Sequence, residues 1–385
     1  MTTVLTGLTW DHPRGREALE AARAHAASVG VDLTWDVQSL EGFESAPIAE
    51  LAQRYDVIVL DHPHLGDALA SRCLRPMEAV VGSDVLKDIA HRAVGPSLAS
   101  YRLAGSTWAL PLDAATQVSA RRTDLLDQEP RTWSDVVSVS ARHPVALSVS
   151  GPHAYLSFAS ICHSFGAPLS GGASETIVDT GVGSLALGIL RELSRRGPRG
   201  SEAQNPIALL ERMITSDDIA YIPLVYGYVN YANRRRTRAV TFADAPEGVG
   251  GVTGSTIGGT GIAVTTRAEV AAGLRKHLVW LLGDQTQTGF IPLHQGQPSV
   301  RAAWEDDAVN GSTGDFYRRT RRTIERAWVR PRFAGFVQLQ RELSRVIREA
   351  LANDSEPRTV LERMTALQND AVARADLSTF EEAVS

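Results

Sequence analysis

Residues 56–60 read DVIVL, and this short run constrains the fold more than any other stretch of the chain. An unbroken apolar run of strand length suits a strand covered on both faces, the position of a central parallel strand. What precedes it agrees. Residues 4–10 form another strand-like run, and residues 16–29 are Ala-rich with Leu19, Ala22, Ala26 and Val29 on one helical face. Residues 31–35 read as a strand and residues 48–55 as a short helix. The opening is therefore β-α-β-α-β, a unit that winds right-handed and leaves a ligand crevice at the carboxyl ends of its strands. The first and third strands end in near-identical loops, Trp10-Asp11-His12-Pro13 and Leu60-Asp61-His62-Pro63-His64. Both loops are expected at the same rim of the sheet.

A three-stranded opening accounts for little of 385 residues; at about 150 residues per domain the length implies two or three units. Hydrophobic residues at 43% and charged residues at 22% set aside disordered, collagenous and membrane-spanning classes. A formal net charge of −5 argues against nucleic acid as the main partner. The basic runs Arg234, Arg235, Arg236, Arg238 and Arg318, Arg319, Arg321, Arg322 then read as solvated surface. Cys73 and Cys162, the only cysteines, have no disulfide or zinc spacing and read as buried small hydrophobes. No basic segment followed by an apolar one opens the chain, so the expectation is a cytoplasmic protein that starts at Met1. A leader removed upstream would instead make it periplasmic or extracellular.

Further along, Thr132 with Asp135 forms a capping-box signature for a helix, and residues 145–149 and 219–224 read as strands. Residues 261–266, GIAVTT, read as a strand that returns to the first sheet, followed by a helix over 268–282; beyond Gly311 the spacing is mostly helical. The glycine-rich stretch 248–261 has neither a GxGxxG fingerprint nor a Walker lysine, and reads as a close-packed cleft wall. GxSxG, HExxH and SxxK motifs are absent, which lowers the case for a hydrolase, and no cofactor is expected.

Three words follow one another in the middle of the chain: Gly105-Ser106-Thr107-Trp108-Ala109-Leu110-Pro111, Thr123-Asp124-Leu125-Leu126 and Pro130-Arg131-Thr132-Trp133-Ser134-Asp135. Gly258-Gly259, then Trp280-Leu281, Gln285 and Gly289-Phe290-Ile291-Pro292, come later. In this order they resemble family 1 of the extracellular solute-binding proteins of ABC transporters, over most of the chain. The resemblance implies a bilobal, periplasmic-binding-protein-like (Venus-flytrap) fold of two α/β lobes. It also implies a small polar solute, sugar-like or a carboxylate, in the cleft, and an ABC-transporter permease as partner if the protein is exported. Where many relatives carry an aromatic Tyr-Asn pair after the crossing strand, this chain has Ser119-Ala120-Arg121-Arg122.

The expected lobes are residues 1–112 with 262–310, and residues 113–261 with 311–385. Each expected ligand contact leaves the carboxyl end of an apolar strand or lies near the crossing. From lobe one these are Trp10, Asp11, His12, Asp61, His62 and His64. From lobe two they are Ser150, Gly151 and Tyr155 after the 145–149 strand, and Tyr226 and Tyr228 after the 219–224 strand. Trp108, Asp113 and Gln117 are expected near the crossing. Aromatic faces hold the apolar side of a sugar, and the heads supply hydrogen bonds. Asp11, His12, Asp61, His62 and His64 are also donors to a metal, but without a fixed ligand spacing no metal is assigned. The alternative is a cytoplasmic enzyme on the same fold, with the loop histidines as acid and base. If the cleft binds solute, His62→Ala and Tyr226→Ala are each expected to weaken binding and spare the fold.

Overall fold

The computed structural model describes residues 2–232 and 238–375. It opens with β1 (Thr3–Trp10), α1 (Pro13–Ser28), β2 (Val31–Gln38), α2 (Leu40–Ser45) and β3 (Val57–Leu60). β1 lies between β2 and β3 and is parallel to both. Along β3 the strand period of two sends Val57 and Val59 into one core cluster and Ile58 and Leu60 into another. Both faces are covered, which is why β3 carries no polar residue.

The elements that position the rest are β4 (Leu110–Arg122), α3 (Trp133–Ser140), α4 (His153–Ser164), α5 (Thr180–Arg196), β5 (Tyr221–Tyr226), β6 (Val240–Ala243) and β7 (Ile257–Val264). They are followed by α6 (Ala272–Leu281), α7 (Phe316–Glu325), α8 (Phe336–Asn353) and α9 (Pro357–Arg374). β7 returns antiparallel against β3 and also pairs with the first half of β4, from Leu110 to Thr116. From Gln117 onward β4 pairs instead with β5, and from Ser119 with β6. The sheet order is β2-β1-β3-β7-β4-β5, with β6 also on β4. One strand thus runs out of the first α/β lobe and into the second. In the second lobe, α4, α5, α8 and α9 bury one apolar cluster containing Leu156, Phe158, Leu190, Leu343, Ile347 and Met364.

The Thr132–Asp135 capping box forms as expected and starts α3. Arg122, at the end of the Ser-Ala-Arg-Arg stretch, is buried; it ties β4 to Asp124 and Asp217 and to the carbonyls of Met213 and Ser216. Three expectations are corrected. Residues 145–149 are not a strand: Val145 makes a single parallel bridge to Tyr221, and the chain then turns away toward α4. The helix expected over 268–282 starts only at Ala272. β6 was not expected at all. Of the basic runs, Arg234, Arg235 and Arg236 lie outside the described residues, whereas Arg238, Arg318, Arg321 and Arg322 each pair with a surface carboxylate. Among the described residues no helix is long and apolar enough to cross a membrane.

Candidate functional site

The ends of β1, β3 and β5 and the start of β7 converge on two adjoining chambers. The larger, about 50 Å³, is lined by Trp10 and Arg14 with Leu40, Phe43 and Glu44 of α2, by Asp61 and Ala115, by Tyr226 and Tyr228, and by Gly258, Gly259 and Thr260. The smaller, about 20 Å³, is lined by Glu44, Asp61, Pro63, His64, Pro152, Leu156, Tyr226, Arg330, Val337 and Gln340. Glu44, Asp61 and Tyr226 belong to both. At about 10–15 Å³ for each water, the space holds a few waters, so a sugar-sized ligand needs the lobes to part.

Each wall has a local cause. Trp10 is the last residue of β1 and Tyr226 the last of β5, so both side chains stand at strand exits. A Cβ on Gly258 would lie 2.5 Å from the Tyr226 ring, so only glycine lets that ring lie flat against β7. Tyr226 Oη is 3.2 Å from Thr256 Oγ1. The Trp10 ring packs 5.9 Å from both Phe43 and Tyr228. Ser39 caps α2 by accepting the Gly42 N–H, which fixes the short helix carrying Phe43 and Glu44.

Charge at the site is organised in pairs. Arg14 Nε donates to Asp113 Oδ2 at 2.6 Å, a second donor reaches Asp113 Oδ1, and Nη1 donates to the Gly227 carbonyl at 3.0 Å. Its guanidinium also lies 4.9 Å from the Tyr228 ring centre. Arg330 Nη2 donates to both Asp61 oxygens at 2.8 and 2.6 Å, and Nη1 donates to Gln340 Oε1 at 3.2 Å. Against the effect of burial, Arg330 and then His62 hold the Asp61 carboxyl well below the usual carboxylate range. Glu44 Oε1 lies 3.2 Å from His153 Nε2 across the lobes.

Of the expected residues, Trp10, Asp61, Tyr226 and Tyr228 line the larger chamber and His64 the smaller; Asp113 stands one contact behind, as the partner of Arg14. The others are placed elsewhere. Asp11 is exposed and pairs with Arg16. His12 caps α1, its Nδ1 accepting the Arg14 N–H at 3.1 Å while its ring stacks on Trp10; burial, then Arg14 and Arg16, lower its pKa to about 4. His62 is fully buried beside Tyr101, with Nδ1 3.1 Å from Asp61 Oδ1. Burial and then Arg330 lower the His62 pKa to about 4. Neither imidazole reaches a chamber, so the acid–base alternative finds no pair of histidines there. Trp108 donates its Nε1–H to the Leu103 carbonyl at 2.8 Å. Gln117 is buried among Ser157, Ser160 and Thr256 and braces the crossing strand. Ser150 accepts the His153 N–H through its carbonyl, and Gly151 is exposed. Pro152 and Leu156, four residues apart, present one face to the small chamber, which turns Tyr155 into the core against Phe336. Among the described residues no group of three or more His, Cys, Asp or Glu side chains is placed to hold a metal ion.

The residues that sequence reasoning missed are Arg14, Phe43, Glu44 and Arg330. A cation in the first turn of a helix opposes the helix dipole, so nothing in the α1 pattern advertised Arg14. The one available signal for α2 was Ser39 as a cap. The glycine-rich cleft wall expected from 248–261 is present where Gly258, Gly259 and Thr260 line the larger chamber.

Two α/β lobes threaded by a shared strand, with chambers between them, define the bilobal periplasmic-binding-protein-like fold. The chain is similar in structure to an ABC transporter solute-binding protein from Agrobacterium radiobacter K84 in complex with ribitol, at TM-score 0.78 and 18% identity, over 96% of this chain and 98% of that one. It is likewise similar to the GacH receptor of Streptomyces glaucescens, solved unliganded and with acarbose, at TM-score 0.78 and 16% identity, over 98% and 100%. Maltose-bound MalE3 of T. maritima matches at TM-score 0.77 and 16% identity, over 95% and 98%. No protein-family model matches the chain, and no curated protein matches it by sequence.

Proposed function

We propose that the chain is a solute-binding protein of the ABC-transporter family 1 type, holding a small polyhydroxy solute between its lobes. One observation carries the reading. Trp10, Phe43, Tyr226 and Tyr228 wall a chamber that Arg14, Glu44 and Asp61 also line. Flat apolar faces together with hydrogen-bonding heads match a sugar or polyol, which has an apolar ring or chain edge and a rim of hydroxyls. Ribitol, acarbose and maltose in the three similar structures support the same solute class. The lobes are taken as residues 1–112 with 262–310 and 113–261 with 311–385. The change of partner along β4 at Gln117 supports a crossing a few residues past that first boundary. Should the native protein be exported, its partner is an ABC-transporter permease; fractionation of native cells decides the compartment.

A thermal-shift screen over sugars, polyols, carboxylates and metals tests the reading. A ligand at 100 times its dissociation constant adds about 2.7 kcal/mol to folding stability. The expected hits are sugars or polyols, confirmed by calorimetry with one site per chain; a screen whose only hits are metals or simple carboxylates would overturn it.

A further inference from the structure

We propose, resting on the solute-binding reading above, that Glu44 makes the chambers reject anionic solutes and favour a polyhydroxy solute that carries an amino group. Both cations of the site are already engaged. Arg14 has two donors on Asp113 and a third on the Gly227 carbonyl. Arg330 has Asp61, Gln340 and the Ile257 carbonyl, which leaves Nε–H and one Nη1–H without an acceptor. The free N–H groups suit hydroxyls, whereas an anion would have to share a guanidinium with Asp113 or Asp61, which already neutralise both cations.

Two guanidiniums therefore face three carboxylates, and the third is Glu44. Glu44 lines both chambers, and among the described residues it forms no ion pair with Arg or Lys; its charged-group contact is the His153 imidazole at 3.2 Å. Burial above all raises the phenols of Tyr226 and Tyr228 above their ordinary range, with Glu44 among the lesser causes. Phe43 and Tyr226 add aromatic rings to the walls, while the Trp10 ring is stacked on His12 and the Tyr228 ring lies under the Arg14 guanidinium.

The test is calorimetry at pH 7, where the amine is mostly protonated, with matched sets in the gluco, galacto and manno series: the neutral hexose, its 2-amino sugar, the N-acetylated form and the uronate. In the best-bound series the amino sugar is expected to bind about tenfold tighter than the neutral hexose, and the uronate about tenfold weaker. The N-acetylated sugar, larger but uncharged, should show no such gain. In Glu44→Gln, of the same shape, the ratio of amino-sugar to hexose affinity should fall to about one, whatever happens to the hexose affinity itself. A uronate that binds wild type as tightly as the hexose overturns the proposal and leaves the solute-binding reading standing, as does an amino preference that survives Glu44→Gln. If that variant does not fold, the N-acetyl comparison in wild type decides the same point. No heat with any sugar, alongside a blank polyol screen, overturns the reading and the proposal together.

Discussion

Asp11 and Asp61 show how the same three residues come to do different things. Both open an Asp-His-Pro loop after a parallel strand, yet Asp11 turns out to Arg16 while Asp61 turns in to Arg330, 269 positions away in sequence. The rim position was legible in the loops; the partner was not, because an ion pair of that separation leaves no local pattern. His62 follows its aspartate inward and is fully buried. The expectation that His62→Ala spares the fold is therefore revised. The variant leaves a cavity and strips a neighbour from Asp61, and is expected to cost about 1–3 kcal/mol in urea unfolding. Tyr226→Ala removes a wall shared by both chambers, so solute affinity should fall by about tenfold or more while unfolding stays cooperative. Calorimetry showing the reverse, with affinity lost in His62→Ala and kept in Tyr226→Ala, would reject this division of labour.

β4 is the element on which both lobes depend, and its geometry is set by one glycine opposite it. Gly259 of β7 has φ of +91°, and a Cβ there would stand 2.5 Å from the Asp113 carbonyl oxygen. The register of β4 against β7 shifts between Pro111 and Asp113 at this same place. That irregularity lies beside the carboxylate that holds Arg14. Gly259→Ala adds a left-handed penalty and a steric overlap with backbone, and is expected to lower stability by about 1–3 kcal/mol. It should also weaken solute binding, since Gly259 lines the larger chamber. Unchanged urea midpoint and affinity would show that the backbone here adapts. Strands covered on both faces were legible as apolar runs, as with residues 56–60. Residues 145–149 carry the same signal and still form only one bridge, because burial selects apolar residues whether or not a neighbouring strand is available to pair. β6 is four residues long, too short to show a period, and so was missed.

At the scale of the whole molecule, the two-lobe plan was legible from the order of weak motifs, whereas the inter-lobe contacts were not, since Arg330 lies in a connecting segment with no periodicity. Packing within and between the lobes leaves several imidazoles buried and neutral, and this gives the protein a defined response to acid. His12, His62 and His277 each fall from 6.5 to about 4, burial being the first cause in all three. An imidazole with a folded-state value below its unfolded one takes up its proton on unfolding throughout the interval between the two. The stability gained by keeping it neutral is therefore complete above about pH 6.5 and is lost as pH falls toward 4. Each such group tilts stability by up to about 1.4 kcal/mol per pH unit. His64 and His163, also lowered by burial, act in the same direction. Asp113 and Asp244, raised by burial, act in the opposite one and reduce the net slope. Urea midpoints measured at pH 7, 6 and 5 are expected to fall at each step, with the decline shallower in His277→Gln, which removes one titrating group far from the chambers. Stability that stays level or rises between pH 7 and 5, with no change of slope in His277→Gln, would mean that these rings are not held neutral in the folded protein.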